Sequence, residues 1–77
     1  MDETTVQNTL KVHRAIRNLT QAELADLAGI TRASVNAIEG GRMLPSILLA
    51  LKLATALGVA VDEIFQLSER KSDQKSR

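Results

Sequence analysis

The apolar positions of this chain change spacing along its length, and each change marks an element. Leu24, Leu27 and Ala28 recur at three- and four-residue intervals, which puts one apolar stripe on a helix and turns Glu23 and Asp26 toward water. Thr20, followed three positions later by Glu23, is a capping box that closes the free amides of a helix start, so this helix opens at Gln21. Gly29 ends it, because a glycine after the last periodic residue suits the left-handed backbone that terminates helices. Ile30 is predicted to pack into the corner. Thr31 then caps another helix, whose buried stripe is Val35 and Ile38 and whose opposite side carries Arg32, Ala33, Asn36 and Ala37.

The rest of the pattern is also helical, and no stretch carries a strand signal. A first helix is predicted over about residues 8–17, a fourth over 46–57 and a short fifth over about 61–67, giving a compact, all-α, five-helix domain over 8–67. Pro45 sits just before the fourth helix, where its fixed φ and missing amide are tolerated, and Gly58 closes that helix. Residues 1–7 are expected to form a flexible N-terminal arm. Residues 68–77 contain no apolar side chain and mix both charge signs, which predicts a disordered tail.

The fourth helix carries more apolar surface than one small core needs. Ile47, Ala50, Leu51, Ala54 and Leu57 form the stripe predicted to face the core, yet Leu48, Leu49, Leu53 and Ala56 extend well beyond it. A second subunit is the predicted cover, on an interface of Leu48, Leu49, Leu53, Ala56, Phe65 and Leu67; a broad monomer core is the alternative. Phe65, the one aromatic residue, is more readily a core residue than a ligand-binding one.

Composition narrows the function classes. A chain of 77 residues makes one small domain whose core is marginal unless it is well packed or shared, which again favours a homodimer. The absence of cysteine rules out a disulfide framework and a thiolate zinc site. The N-terminus MDETTVQ lacks the basic and apolar regions of a signal peptide, so the expected compartment is the cytoplasm. The apolar stretch over 47–61 is broken by Lys52 and falls short of the roughly 18 residues that span a bilayer, so no membrane contact is expected. With one histidine and no glycine-rich phosphate loop after a strand, the chain reads as no enzyme, with no cofactor and no metal. His13 is predicted to be a half-buried structural residue. A net charge of only +1 excludes a generally polybasic nucleic-acid binder, so any such affinity must come from local groups and helix N-termini.

Several spaced motifs now combine: Leu19-Thr20-Gln21, Leu24-Ala25, Gly29-Ile30-Thr31-Arg32, Val35-Asn36-Ala37-Ile38-Glu39, Gly41-Arg42 ahead of Pro45-Ser46, and Leu57-Gly58-Val59. Over roughly residues 10–65 the chain resembles the helix-turn-helix domain of the Cro and phage-repressor type, and especially the small stand-alone bacterial and archaeal regulators of that family. The resemblance implies a repressor-like five-helix fold with the motif at helices 2 and 3. It further implies a sequence-specific transcriptional regulator, a repressor, acting as a dimer on a two-fold symmetric duplex operator and sitting on the nucleoid when bound. The alternative is an antitoxin-like or adaptor module that keeps the fold and acts mainly on a protein partner. Two positions depart from the family pattern: His13 stands where leucine is common, and Asn18 where glycine is usual. Asparagine tolerates the left-handed conformation that such a glycine adopts.

Roles on the outward face follow from what DNA presents. Arg32 has a planar fork that bonds guanine O6 and N7 together, and is the first candidate for base reading. Ala33 offers a methyl contact to thymine, Asn36 an adenine edge or a phosphate contact, and Ala37 completes the set of base-reading candidates. Phosphate contacts favour amides and polar side chains at helix starts, which brings in Thr31 and Ser34. The resemblance adds Gln21 and the loop of Gly40, Gly41 and Arg42 to that set. It also implies a structural ion pair between Arg14 and Glu39. The plainer reading of Gln21 is a helix surface residue, and of the two glycines a flexible helix end.

Overall fold

The computed structural model describes residues 4–68 of the chain. Their order is β1 (Thr5–Asn8), α1 (Leu10–Ile16), α2 (Gln21–Ala28), α3 (Arg32–Glu39), α4 (Ile47–Leu57), α5 (Val61–Ile64) and β2 (Phe65–Ser68). Every helix contributes to one buried cluster: Leu10 from α1, Leu24, Ala25 and Ala28 from α2, Val35 and Ile38 from α3, Leu53, Ala54 and Leu57 from α4, and Ile64 from α5. Among the described residues no helix is long and apolar enough to cross a membrane.

The turn between α2 and α3 is built by local chemistry. Thr20 Oγ1 accepts from the Glu23 amide at 3.0 Å while the Glu23 carboxylate accepts from the Thr20 amide at 2.8 Å, closing both ends of the capping box. Gly29 terminates α2 at φ 72°, and the amides of Gly29 and Ile30 both donate to the Ala25 carbonyl. That backbone conformation is open to glycine at little cost and strained for a residue with a Cβ. Ile30 packs against the core, and Thr31 Oγ1 accepts from the Ser34 amide at 3.0 Å to start α3. Asn18 adopts φ 55° at the end of α1, where the family pattern has glycine.

The buried stripes of α2 and α4 differ from the predicted ones. On α2, Ala25 is buried and Leu27 is exposed. On α4 the core-facing residues are Leu53, Ala54 and Leu57, whereas Ile47 is 79% exposed and Leu51 also faces solvent. Leu53, predicted at a subunit interface, is 0% exposed and belongs to the monomer core. Phe65 and Ala56, from the same predicted interface, are half-buried against the core of their own chain. A helix that is apolar almost all round leaves its rotation undefined by periodicity. Packing against α2 and α5 selects it here.

A second difference is a two-stranded antiparallel ribbon, with Thr5 opposite Ser68, Val6 opposite Leu67, Gln7 opposite Gln66 and Asn8 opposite Phe65. The fold is still mainly helical, but α1 begins at Leu10, two residues later than the predicted 8, and α5 stops at Ile64 rather than at 67. Thr5 to Gln7, predicted as part of a flexible arm, lie in β1, and Ser68, predicted to open the tail, lies in β2. Thr4 precedes the strand outside any regular element, and the remainder of the predicted arm and tail, 1–3 and 69–77, falls outside the described residues.

The junction from β1 to α1 ties the N-terminal segment to the rest of the fold. Asn8 Oδ1 accepts from the Leu10 amide at 3.1 Å, while its Nδ2 donates to the Ile38 carbonyl near the end of α3 at 3.0 Å. Thr9 donates its amide to the Ile64 carbonyl at 2.8 Å and its hydroxyl to the Glu63 carbonyl at 2.9 Å. His13 is half-buried, as predicted, with Nε2 3.1 Å from the same Glu63 carbonyl.

Truncating Leu53 to alanine is expected to cost about 2–5 kcal/mol, the range for a buried leucine. Leu51→Ala, on the exposed side of the same helix, should change folding of the isolated subunit by less than about 1 kcal/mol. Urea unfolding at a concentration where the protein is monomeric separates the two.

Candidate nucleic-acid interface

The second helix of the motif, α3, is short and amphipathic, and its position is set by what it buries. Val35 and Ile38 are enclosed in the core, so the opposite side must face outward; Arg32, Ala33 and Asn36 are exposed there. Ala37 is only half-buried, and its carbonyl accepts from the amides of Arg42 and Met43 at 2.9 and 3.2 Å. Ser34 is also half-buried, its hydroxyl accepting from Thr31 Oγ1 at 2.9 Å. After α3 the chain passes through Gly40, whose backbone stays right-handed, and Gly41 at φ 75°. Among the described residues, and its own chain neighbours apart, no heavy atom lies within 4 Å of the place a Cβ would take at Gly41. Conformation, rather than space, therefore calls for glycine there.

The predicted Arg14–Glu39 pair is present and double. Arg14 Nε donates to Glu39 Oε2 at 2.6 Å and its Nη2 to Oε1 at 3.1 Å, and Nη1 reaches the Leu19 carbonyl at 2.9 Å. The two side chains are 17% and 6% exposed, so the pair is largely withdrawn from water. Burial pushes the Glu39 carboxyl upward, but hydrogen bonds from Arg14 and Gln21 and the charges of Arg14 and Lys11 outweigh it, holding the carboxyl below its ordinary value. Its hydrogen bond to Glu39 raises the Arg14 guanidinium, against burial.

Glu39 also joins residues assigned to separate roles by sequence. Gln21 Nε2 donates to Glu39 Oε1 at 3.1 Å, Asn36 Nδ2 donates to Gln21 Oε1 at 3.2 Å, and Arg42 donates to Asn36 Oδ1. A single chain of hydrogen bonds thus runs Arg42, Asn36, Gln21, Glu39, Arg14. It links the start of α2, the outward side of α3 and the loop beyond α3. Sequence reasoning found its members but missed the connection, because Gln21 and Asn36 lie 15 positions apart and only the angle between α2 and α3 brings them together. Asn8, which ties to the Ile38 carbonyl, was not identified at all. Its one signal was a helix-capping residue type ahead of Leu10.

The family profile described as helix-turn-helix matches residues 10–64. An HTH-type transcriptional regulator of Methanocaldococcus jannaschii is 45% identical over 60 residues, which cover 78% of this chain and 91% of that protein. The cryptic phage CTXphi transcriptional repressor RstR of Vibrio cholerae is 36% identical over 59 residues, covering 77% of this chain and 53% of its own length. Among solved structures, the restriction-modification controller protein C.AhdI of Aeromonas hydrophila matches with a TM-score of 0.68 at 39% identity, over 70% of this chain and 82% of that one.

Removing one partner of the ion pair leaves a buried charge uncompensated, so Arg14→Met is expected to destabilise the fold by about 3 kcal/mol or more. The lowered Glu39 pKa also sets a sign for pH dependence. Its contribution is complete above the ordinary carboxylate value near 4.5 and is lost as pH falls through the lower folded value. Glu39→Gln should flatten the stability profile below pH 4.5 relative to wild type, as followed by urea unfolding across an acid series.

Proposed function

Because this chain belongs to the helix-turn-helix family of the Cro and phage-repressor type, we propose that it is a transcriptional repressor that reads duplex DNA by inserting α3 into the major groove. The observation that carries this reading is the division of α3: Val35 and Ile38 anchor it in the core while Arg32, Ala33 and Asn36 stand clear on the other side. Arg32, in the first turn, bonds guanine O6 and N7, Ala33 sets its methyl group against thymine, and Ala37 is the most covered of the base-contact candidates. Gln21, Thr31 and Ser34 at the helix starts, with Gly40, Gly41 and Arg42 beyond α3, hold the phosphates. RstR is named a repressor, and that favours repression over activation here.

The repressor acts as a homodimer. Leu44, Ile47, Leu48 and Leu51 are all exposed and follow the i, i+3, i+4, i+7 spacing of one helical stripe, running onto α4 from the turn before it. This stripe, rather than Leu49, Leu53 or Phe65, is the surface that a second subunit covers. Leu48 is common to both assignments, and Leu67 is exposed on the ribbon away from the core. Two-fold pairing would place two α3 helices about 34 Å apart on one side of the duplex. The second reading, a module that binds another protein, draws on the same exposed stripe.

Selection from a random duplex pool is expected to yield a two-fold symmetric site for wild type. Arg32→Ala should weaken that site by about 1–3 kcal/mol and relax one base preference per half-site. Leu48→Asp should lower the mass seen by sedimentation equilibrium to that of one subunit with the helical spectrum retained. A protein that enriches no sequence, or a wild type that sediments as one subunit across the binding range, would point to the protein-binding reading.

A further inference from the structure

The chain of hydrogen bonds across α2 and α3 has ends of opposite character. Glu39, held ionised by the Arg14 fork, only accepts; Arg42 only donates. The two amides between them offer either atom to a neighbour, yet this placement leaves them no choice. Gln21 must turn its NH2 to the carboxylate, which leaves its carbonyl for Asn36; Asn36 must then turn its NH2 to Gln21, which leaves its carbonyl for Arg42. The orientation of both amides therefore follows from the chemistry of the two ends.

Asn36 has two N–H donors and two carbonyl lone pairs. One of each is used within the chain of bonds, so one donor and one acceptor remain, on a residue that is exposed on the outward side of α3. Adenine shows the major groove one acceptor, N7, and one donor, N6. Guanine shows two acceptors, thymine an acceptor beside a methyl group, and cytosine a single donor. Adenine alone uses both free valences. We propose that Glu39, acting through Gln21, locks the amide of Asn36 in the orientation that reads adenine, so that Glu39 and Gln21 are positioning residues for base specificity. The inference rests on the DNA-reading function proposed above. It gives Gln21 a role in sequence preference that a phosphate contact does not have, since phosphate contacts carry no sequence information.

The test measures binding, by fluorescence anisotropy at one fixed salt concentration, to the duplex selected by wild type and to derivatives changed one base pair at a time. Asn36→Ala identifies the pair that faces residue 36 as the one whose preference disappears. At that pair wild type should favour A·T by at least about fivefold. Gln21→Met keeps the Arg14–Glu39 bond but removes the amide between them and Asn36. It should bring that preference to within about twofold while leaving the pair read by Arg32 unchanged. A Gln21→Met protein that loses the same factor on every duplex would overturn the proposal and leave Gln21 a phosphate contact. So would an Asn36→Ala protein with all preferences intact. In both cases the wild-type site survives, whereas a wild type without any preferred duplex would defeat the DNA-reading function as well.

Discussion

Arg14 and Glu39 hold the first helix to the last turn of α3, and the remaining geometry of the outward surface is referred to that bond. A forked guanidinium meeting a carboxylate at two points fixes direction as well as distance. The third Arg14 contact, to the Leu19 carbonyl, carries the same constraint into the segment ahead of α2. Three helices are thereby set by one side chain. Because the pair is mostly withdrawn from water, its worth lies less in net stability than in the penalty for any arrangement that leaves one charge alone. The Asn8 bond to the Ile38 carbonyl fastens the same end of α3 a second time, from the ribbon side.

Around that anchor, short-range chemistry and long-range packing divide the work. Thr20, Gly29 and Thr31 determine where α2 starts and stops and where α3 starts, each through its own backbone or hydroxyl and within three or four residues. Val35, Ile38, Leu24 and Leu53 then turn two short helices into a rigid corner by filling one core. Helices of eight residues are not stable alone in water, so their burial against each other is what makes them helices at all. The outward side of α3 inherits its rigidity from this, since its exposed side chains stand on a backbone that cannot rotate without exposing Val35 and Ile38.

Much of the candidate surface was legible before the fold. Arg32, Ala33 and Asn36 were assigned outward from the spacing of Val35 and Ile38 alone, and they are exposed. Ala37 has the same spacing but is half-buried, its carbonyl taken up by the turn that follows. The motifs that carry the family resemblance fall within the 10–64 match, so membership was readable too. The rotation of α4 was not. With apolar residues at nearly every position over 47–57, one hydrophobic stripe is as consistent as the next, and Leu53 and Leu51 exchanged places between expectation and structure.

What the sequence determined by itself were the features whose physics is local: the capped starts, the glycine stops, the period of α2 and α3, and the type of residue presented to the outside. These depend on neighbours three or four positions away, which the chain carries in order. Tertiary structure decided the rest. The ribbon pairs residue 5 with residue 68, and β-pairing of short segments draws its stability from a partner that local pattern does not contain. The same holds for the bonds that join Arg42, Asn36, Gln21 and Glu39, residues to which the sequence assigned separate roles. The partners of Gln21 and Asn36, and hence the direction in which each amide points, exist only once α2 and α3 cross.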